Sequence, residues 1–329
     1  MKLICGPMAT ISHPAFRILV EKFGGCDEYF NEMINAGSLL TKGPFEKFYI
    51  NPSPNPQKLV WQLTGKNSEV MIEAAKILVE LQGIGIDLNM GCSAPDVYRF
   101  GSGIAWMLKP IEETQKMVEE VGKIIKNYNQ TSDNKKRFSV KLRLGDDDFS
   151  EDEFFDFCTM LSENNVELIT LHPRTKKEKL TKPIRYEYCQ KLAEKMHSVG
   201  VKVYLNGNVK DENSYKNALK IAPSVDGIMI SRAAVQKPWI FSQLKKIKTV
   251  ENVDMLQLAF EYIDNIEIYQ PKEFWKTRLQ RFFSYFSMNF QFSHYAQTQF
   301  LNAKNNDDLK LRLQDFFEKC PQERYFKIF

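Results

Sequence analysis

The chain has 329 residues and a formal net charge of +4, and 43% of its residues are hydrophobic, including 24 Phe and 13 Tyr. This composition supplies a large core and excludes an intrinsically disordered chain. The mild positive charge permits a polyanionic partner without requiring one. No apolar run approaches the roughly 18 residues of a membrane span and the N-terminus lacks a signal-peptide core, so we expect a cytoplasmic protein.

Short apolar runs, each followed by an amphipathic segment of helical length, repeat eight times along the chain. The predicted strands are Leu3–Met8, Glu28–Met33, Leu59–Leu63, Gly85–Asn89, Phe138–Leu144, Leu168–His172, Val201–Leu205 and Gly227–Ser231. The predicted helices cover residues 16–23, 70–81, 111–128, 186–199 and 213–221, with two more starting at Ser150 and near Pro238 and a weaker one after the second strand. Glu153 follows Ser150 at the spacing of a capping box, and residues 43–56 are predicted to form a long loop.

Strict alternation of strands and helices predicts a parallel (β/α)8 TIM barrel. A doubly wound open sheet is the main alternative, but no predicted strand runs into a G-x-G-x-x-G turn. From about Ser242 onward only helical patterns remain. We therefore expect an α/β barrel domain over residues 1–241 and a small all-helical domain over residues 242–329.

Polar residues gather at the C-terminal ends of the predicted strands, where barrel enzymes have their active sites. Lys141 and Arg143 are two positions apart on one strand, so their side chains point to the same face of the sheet. That face is the inside of the barrel if Val140, Leu142 and Leu144 pack against the helices. Cations inside a barrel are costly without a partner, so they indicate an anionic ligand. The loops after strands seven and eight, where this fold commonly binds phosphate, contain residues 206–208 and Ser231-Arg232. We infer a phosphorylated cofactor that reaches from these loops towards Lys141.

One thiol, Cys92, follows the fourth predicted strand on a loop lined by Gly91, Gly101 and Gly103. The position makes it a candidate for chemistry, although a buried structural cysteine is the alternative. The six cysteines lack C-x-x-C spacing and the four histidines are dispersed, which argues against a disulfide framework and a structural zinc site. We expect no metal.

The motifs at these strand ends resemble those of the tRNA-dihydrouridine synthases, which are FMN-dependent flavoproteins. The matching segments are Pro7-Met-Ala9, Phe16-Arg17, Gln62-Leu-Thr-Gly65, Asn89-Met-Gly-Cys92, Val140-Lys-Leu-Arg-Leu-Gly145, His172-Pro-Arg-Thr175, Asn206-Gly-Asn208 and Met229-Ile-Ser-Arg232. The chain departs from the family pattern at Thr10, Ser93, Trp106, Ser231 and Ala233.

The resemblance implies an enzyme that reduces the C5=C6 bond of uridines in tRNA, with NADPH or NADH as the electron donor. It implies a hydride to C6 from reduced FMN and a proton to C5 from Cys92 as the catalytic acid. The residues it implies around FMN are Pro7, Met8, Ala9, Gln62, Asn89, Lys141, His172, Asn206, Gly207, Asn208, Ser231 and Arg232.

Basic side chains are candidates for RNA contact because lysine and arginine neutralise phosphates. At the barrel mouth the candidates are Arg143, Arg174, Lys182 and the three lysines of the loop 176–179, namely Lys176, Lys177 and Lys179. In the second domain they are Arg278 and Arg281, which lie on one predicted helical face. A solvated helix face is the alternative for the last two. We expect a monomer with no DNA or membrane partner.

Two alternative functions stay open at this stage. One is an FMN-dependent barrel oxidoreductase that acts on a free pyrimidine or a small carbonyl compound. The other is a non-catalytic RNA-binding relative that retains the fold.

Overall fold

The barrel is a closed ring of eight parallel strands. The computed structural model describes residues 1–146, 148–178, 182–247 and 251–328. The barrel strands are Lys2–Cys5, Glu28–Phe30, Leu59–Thr64, Gly85–Met90, Arg137–Leu142, Leu168–Leu171, Lys202–Asn206 and Gly227–Ile230. Each strand pairs with the next along the chain, and the eighth pairs with the first. The predicted (β/α)8 barrel is thereby confirmed.

Helices connect the strands around the outside of the ring. The longer ones are Pro14–Lys22, Ser68–Glu80, Ile111–Thr131, Glu151–Glu163, Tyr186–His197 and Glu212–Ile221, and two short ones follow the last strand at Arg232–Gln236 and Ile240–Lys245. Ser150 caps its helix by accepting the N–H of Glu153 at 3.4 Å. The predicted loop 43–56 was only partly right, because it contains the short helix Glu46–Tyr49. The weaker helix predicted before this loop corresponds to Ala36–Thr41, which follows the two-residue strand Ile34–Asn35.

A group of helices follows the barrel, and we call it the C-terminal helices. It comprises Met255–Tyr269, Lys272–Phe286, Ser293–Leu301 and Asn306–Lys319. The prediction of helices alone in this part was wrong, because Asn252–Asp254 and Tyr325–Lys327 pair as two antiparallel strands. None of the helices in the described ranges combines the length and the apolar character needed to cross a bilayer.

Alternate residues of the strands fill the inside of the barrel. A separate apolar cluster occupies its middle and consists of Ile4, Phe30, Val60, Leu168, Tyr204 and Met229. Two positions further along their strands, Gln62 and Thr170 are buried polar residues, as are Asp87 and Ser139 on the strands between them. The interior therefore changes from apolar to polar towards the C-terminal strand ends, which form the open mouth.

A buried carboxylate closes the opposite end of the barrel. Glu28 accepts both guanidinium N–H groups of Arg137, at 2.9 and 2.7 Å, and also the hydroxyl of Tyr204 at 2.9 Å. Burial opposes the charge of Glu28, but the hydrogen bonds and charges of Arg137 and Lys2 outweigh it and lower the pKa to about 2. Strands one, two, five and seven are thus tied together through one side chain.

We expect Glu28→Gln to lower the free energy of unfolding at pH 7 by about 3–5 kcal/mol, because the Arg137 guanidinium loses its carboxylate. The pKa of Glu28 is depressed in the folded state, so its stabilisation is complete above the ordinary pKa and is lost as the pH falls towards 2. Urea unfolding should therefore show a smaller difference between variant and wild type at pH 3.5 than at pH 7.

The matched control is Glu73→Gln, which breaks an exposed ion pair with Lys76. We expect no measurable change in stability from it. Equal losses for the two variants, or a Glu28→Gln effect that does not depend on pH, would contradict the assigned role.

Candidate active site

Cys92 lies at the start of a loop whose later residues, Gly103 and Ile104, return to contact its backbone. Asn89 Oδ1 accepts the N–H of Cys92 at 2.9 Å, and the Cys92 carbonyl accepts the N–H of Ile104 at 3.0 Å. Gly103, at φ +62°, passes so close that a Cβ there would lie 2.5 Å from the Cys92 carbonyl oxygen. The Cys92 side chain is partly exposed, whereas the other five cysteines are buried. Among the described residues, this is the one cysteine whose thiol is partly exposed.

A directional chain of hydrogen bonds orients Asn89. Ser139 Oγ and Gln62 Nε2 donate to the two oxygens of Asp87, at 2.8 and 2.7 Å, and Asn89 Nδ2 donates to Gln62 Oε1 at 2.9 Å. An ionised carboxylate only accepts, so it points the amide N–H of Gln62 towards itself and the amide oxygen towards Asn89. Burial raises the pKa of Asp87 to about 6.

Asp87 and Ser139 belong to the site although neither is among the residues predicted from the sequence. The available signal was a carboxylate inside an otherwise apolar run, Gly85-Ile-Asp-Leu88, since an acidic residue on a buried strand needs donors around it.

Lys141 lies beside Asn89 in the strand register, and it faces inward because Val140 and Leu142 belong to the outer core. Burial, followed by the charge of Arg143, lowers its pKa to about 8. Within the described residues, no hydrogen bond or ion pair engages the Lys141 ammonium. The mouth therefore holds a cation available for an anionic ligand.

Arg143 anchors the loop that carries the thiol. It donates to the Gly91 carbonyl at 3.0 Å and to the Thr175 carbonyl at 2.9 Å. Two backbone segments at the mouth are thus joined by one guanidinium. The guanidinium that was predicted to contact RNA is therefore already engaged with two backbone carbonyls.

His172 is held as a neutral ring. Arg174 Nη1 lies 3.1 Å from His172 Nε2, and because an arginine can only donate, Nε2 accepts and Nδ1 carries the proton. Burial, together with the charges of Lys141, Arg143 and Arg174, holds the pKa of His172 well below its usual value. Gly207, at φ +122°, packs against the ring, and a Cβ there would lie 2.7 Å from His172 Cδ2.

A cup opens between the loops after strands seven and eight. Its cavity of about 360 Å³ is bordered by His172, by residues 206–210 and 229–233, and by Tyr285 of the C-terminal helices. Within the described chain, the backbone N–H groups of Gly207, Asn208, Arg232 and Ala233 donate to no protein acceptor. Arg232 reaches to 3.5 Å from Asn208 Oδ1 across the cup.

The first strand reaches the same cup. A Cβ on Gly6 would lie 2.3 Å from Ser231 Oγ, so Pro7 and Met8 start beside the loop of strand eight. Ala9 is exposed, and Thr10 follows at φ +65°, a conformation that is uncommon for a β-branched residue. Unused N–H groups, a cradle that requires glycine and the available Lys141 ammonium together fit a phosphorylated cofactor.

Two predicted RNA contacts are wrong because the side chains are buried. Arg278 forms an ion pair with Glu32 at 2.8 Å, with both side chains 3% exposed or less, and Glu32 also accepts the N–H of Thr10 at 2.8 Å. Arg174 is fully buried and donates to the Lys182 carbonyl at 2.6 Å as well as to His172. A helical face alone could not show that a guanidinium turns inward.

The other basic candidates have mixed surroundings. Arg281 is exposed and borders a groove with Ala9 and Thr10. Lys176 pairs with Asp146 and lies over the ring of Tyr98, while Lys177 and Lys182 are exposed. Lys179 lies outside the described residues.

The chain is similar to known proteins in sequence and in fold. The family model described as "Dihydrouridine synthase (Dus)" matches residues 3–325. A probable tRNA-dihydrouridine synthase of Helicobacter pylori is 30% identical over 271 residues, 81% of this chain and 77% of that protein. One from Aquifex aeolicus is 29% identical over 252 residues, 76% of this chain and 74% of that protein. An old yellow enzyme homologue from Zymomonas mobilis has a similar fold, with a TM-score of 0.51 at 11% identity over 83% of this chain and 94% of that one.

We expect Arg278→Met to lower the free energy of unfolding by about 3–5 kcal/mol, because Glu32 would remain buried without its cation. Arg281→Met on the same helix is the matched control, and since Arg281 is exposed it should leave stability unchanged. Urea unfolding of both variants measures the difference, and equal stability of the two would show that the buried pair is not needed.

Proposed function

Because the chain belongs to the dihydrouridine synthase family, a family of flavin-dependent oxidoreductases, we propose that it reduces the C5=C6 bond of uridines in tRNA with electrons from NADPH or NADH. One observation carries the proposal for this chain: its partly exposed thiol, Cys92, stands at the barrel mouth near an inward-facing lysine that has no hydrogen bond or ion pair among the described residues. A free pyrimidine would not call for the C-terminal helices, whose exposed Arg281 borders a groove at the same mouth.

FMN fits the cup and the mouth described above. The loops 206–208 and 231–232 would hold its phosphate through backbone N–H groups and Arg232, and Pro7, Met8, Ala9, Gln62, Asn89, Lys141 and His172 would line the rest. Bound FMN supplies hydride chemistry towards C6 of the uracil. Neutral His172 offers its Nδ1–H as a donor without adding a charge.

Cys92 is the proposed general acid, which gives the proton of its Sγ to C5 of the uracil. The Asn89 side-chain amide oxygen accepts the N–H of Cys92 and the Arg143 guanidinium donates to the carbonyl of Gly91, so both hold the peptide unit that precedes this thiol. Asp87 acts one step further away by orienting Gln62 and, through it, Asn89. The position of the acid thus depends on groups that never touch the substrate.

RNA recognition is proposed to involve both parts of the chain, the barrel over residues 1–241 and the helical part over residues 242–329. A target uridine must leave its stack to reach Cys92, and surrounding contacts offset that cost. Arg281 borders the groove beside Ala9 and Thr10, and Lys177 and Lys182 are exposed on the loop that follows strand six. We infer a monomeric enzyme that meets tRNA in the cytoplasm.

The decisive experiment separates two half-reactions of Cys92→Ala. Reduction of the flavin by NADPH, followed by absorbance under anaerobic conditions, should match the wild type, because the thiol takes no part in it. Reoxidation by tRNA should slow by about 10²–10⁴-fold, the usual contribution of a general acid. Cys320→Ala, at a buried cysteine among the C-terminal helices, is the matched control.

Dihydrouridine in the product is measured by mass spectrometry of digested tRNA. Full turnover of Cys92→Ala would remove the acid from this assignment. Flavin in the purified wild-type protein without any reduction of tRNA would contradict the proposed function itself.

Lys141 predicts a pH dependence of FMN affinity. Its pKa is depressed to about 8, so the ammonium is present below pH 8 and lost as the pH rises through that value. We expect the affinity, measured by quenching of flavin fluorescence, to fall above pH 8 in the wild type. Lys141→Met should bind FMN roughly tenfold more weakly at pH 7, the loss of one charge-assisted contact.

Lys141→Arg is the control for this experiment, because a guanidinium keeps its charge throughout the range. It should remove the decline above pH 8 while retaining more affinity than Lys141→Met. An identical decline in all three proteins would assign the pH dependence to another group.

A further inference from the structure

A second cavity, which we call the side pocket, lies on the other side of the Cys92 loop from the barrel centre. It has a volume of about 390 Å³, within the range of roughly 300–1,000 Å³ typical of small-molecule sites. Its walls come from Thr64 at the end of strand three and the residues 65–67 that follow it, from Asn35, and from Asp96, Val97 and Phe100 of the Cys92 loop. Nothing in the proposed flavin chemistry uses it.

The backbone at Gly103 is what separates the side pocket from Cys92. Gly103 lies between the two, since a Cβ there would be 2.5 Å from the Cys92 carbonyl oxygen and 3.0 Å from Val97 Cγ1. Ser102 donates its N–H to the Val97 carbonyl at 3.3 Å. A group in the side pocket would therefore be a near neighbour of a group at Cys92.

The pocket lining matches a flat heterocycle with polar edges. Val97 and the Phe100 ring provide apolar surface, while Asn35, Asn67 and Asp96 provide amide and carboxylate groups at the rim. Thr64 is 6% exposed, and its hydroxyl has no hydrogen-bond partner in the described residues. This combination is typical of sites that stack a base and contact its edges.

Phe100 is the feature that the fold itself does not explain. Its side chain is 68% exposed, the second highest exposure among the large hydrophobic residues of the described chain. The exposed Lys66 lies at the same side, and its carbonyl accepts from the Lys109 ammonium at 2.8 Å, which also pairs with Glu113 at 2.6 Å. An exposed aromatic ring beside an exposed lysine suits a nucleotide with its phosphate.

We propose that the side pocket binds the base next to the target uridine in the RNA, with that base stacked on Phe100. The inference rests on the proposed function and deepens it. Turning a uridine out of its stack leaves one face of its neighbour uncovered. Phe100 covers that face, so the loop that carries the catalytic thiol also holds the strand in place.

The expected effect is weaker binding of RNA without a change in flavin chemistry. Phe100→Ala should raise KM for tRNA by roughly ten- to a hundredfold, the usual loss for one stacked base, with a smaller change in kcat. Phe100→Tyr should restore the wild-type KM because it keeps the ring. Tyr325→Ala, which removes another exposed aromatic ring, should leave KM unchanged.

A thermodynamic cycle with modified RNA tests the contact directly. The uridine that the wild type reduces is first mapped by mass spectrometry, and tRNAs with an abasic residue on its 5′ or its 3′ side are then prepared. On one of the two sides, removing the base should cost the wild type about as much as Phe100→Ala does, and Phe100→Ala should lose nothing further on that RNA.

Three other results are informative. If the losses in KM from Phe100→Ala and from the abasic residue multiply for both the 5′ and the 3′ abasic tRNA, the ring and the neighbouring base act independently and the proposal is overturned. Slower reduction of the flavin by NADPH in Phe100→Ala, with normal KM for tRNA, would overturn it too and assign the pocket to the nicotinamide donor. A wild-type enzyme that contains flavin but reduces no tRNA would contradict the proposed function, which distinguishes that failure from a failure of the side pocket.

Discussion

The carboxylate of Asp87 is the buried group on which the geometry of the mouth depends. It lies inside a barrel whose middle layer is apolar, so water is not available to solvate it, and Ser139 and Gln62 take that role. Because a carboxylate only accepts hydrogen bonds, the orientation of Gln62 and then of Asn89 follows from it. The peptide unit between Gly91 and Cys92 is thereby held at its N–H by Asn89, which this network orients, and at its carbonyl by Arg143.

A second buried charge connects the C-terminal helices with the same mouth. Glu32, after strand two, accepts from Arg278 on one oxygen and from the N–H of Thr10 on the other. Thr10 has a left-handed backbone and directly follows the segment 7–9 that is proposed to line the flavin. The helices therefore support the loop through a side chain of the barrel, which explains why an arginine on a basic-looking helix is directed inward.

The barrel could be predicted from the chain because its signals are local. Apolar runs of strand length and amphipathic segments of helical length are visible in single windows, and eight alternations leave few ways to close a parallel sheet. The cup was accessible for the same reason, since strand order places the loops at 206–208 and 231–232 side by side. The sequence marks Asp87 as a buried carboxylate but does not reveal its donors, and the surroundings of Arg278 and Phe100 were not accessible, because they depend on partners far away in the chain or on the exposure of a loop.

The sequence by itself determined the alternation of strands and helices, the parity that turns Lys141 inward and the motifs that define the family, since all of these are properties of neighbouring residues. Only the tertiary structure decided which cationic side chains are available to a ligand and which are bound to other protein groups. Arg174 contacts His172, Arg143 donates to backbone carbonyls, and Arg278 pairs with Glu32. Lys141 has no hydrogen bond or ion pair within the described residues, so its ammonium is available to a ligand. The reason is physical: a buried charge must find a partner, and only the packed fold determines whether that partner is the protein or the molecule it binds.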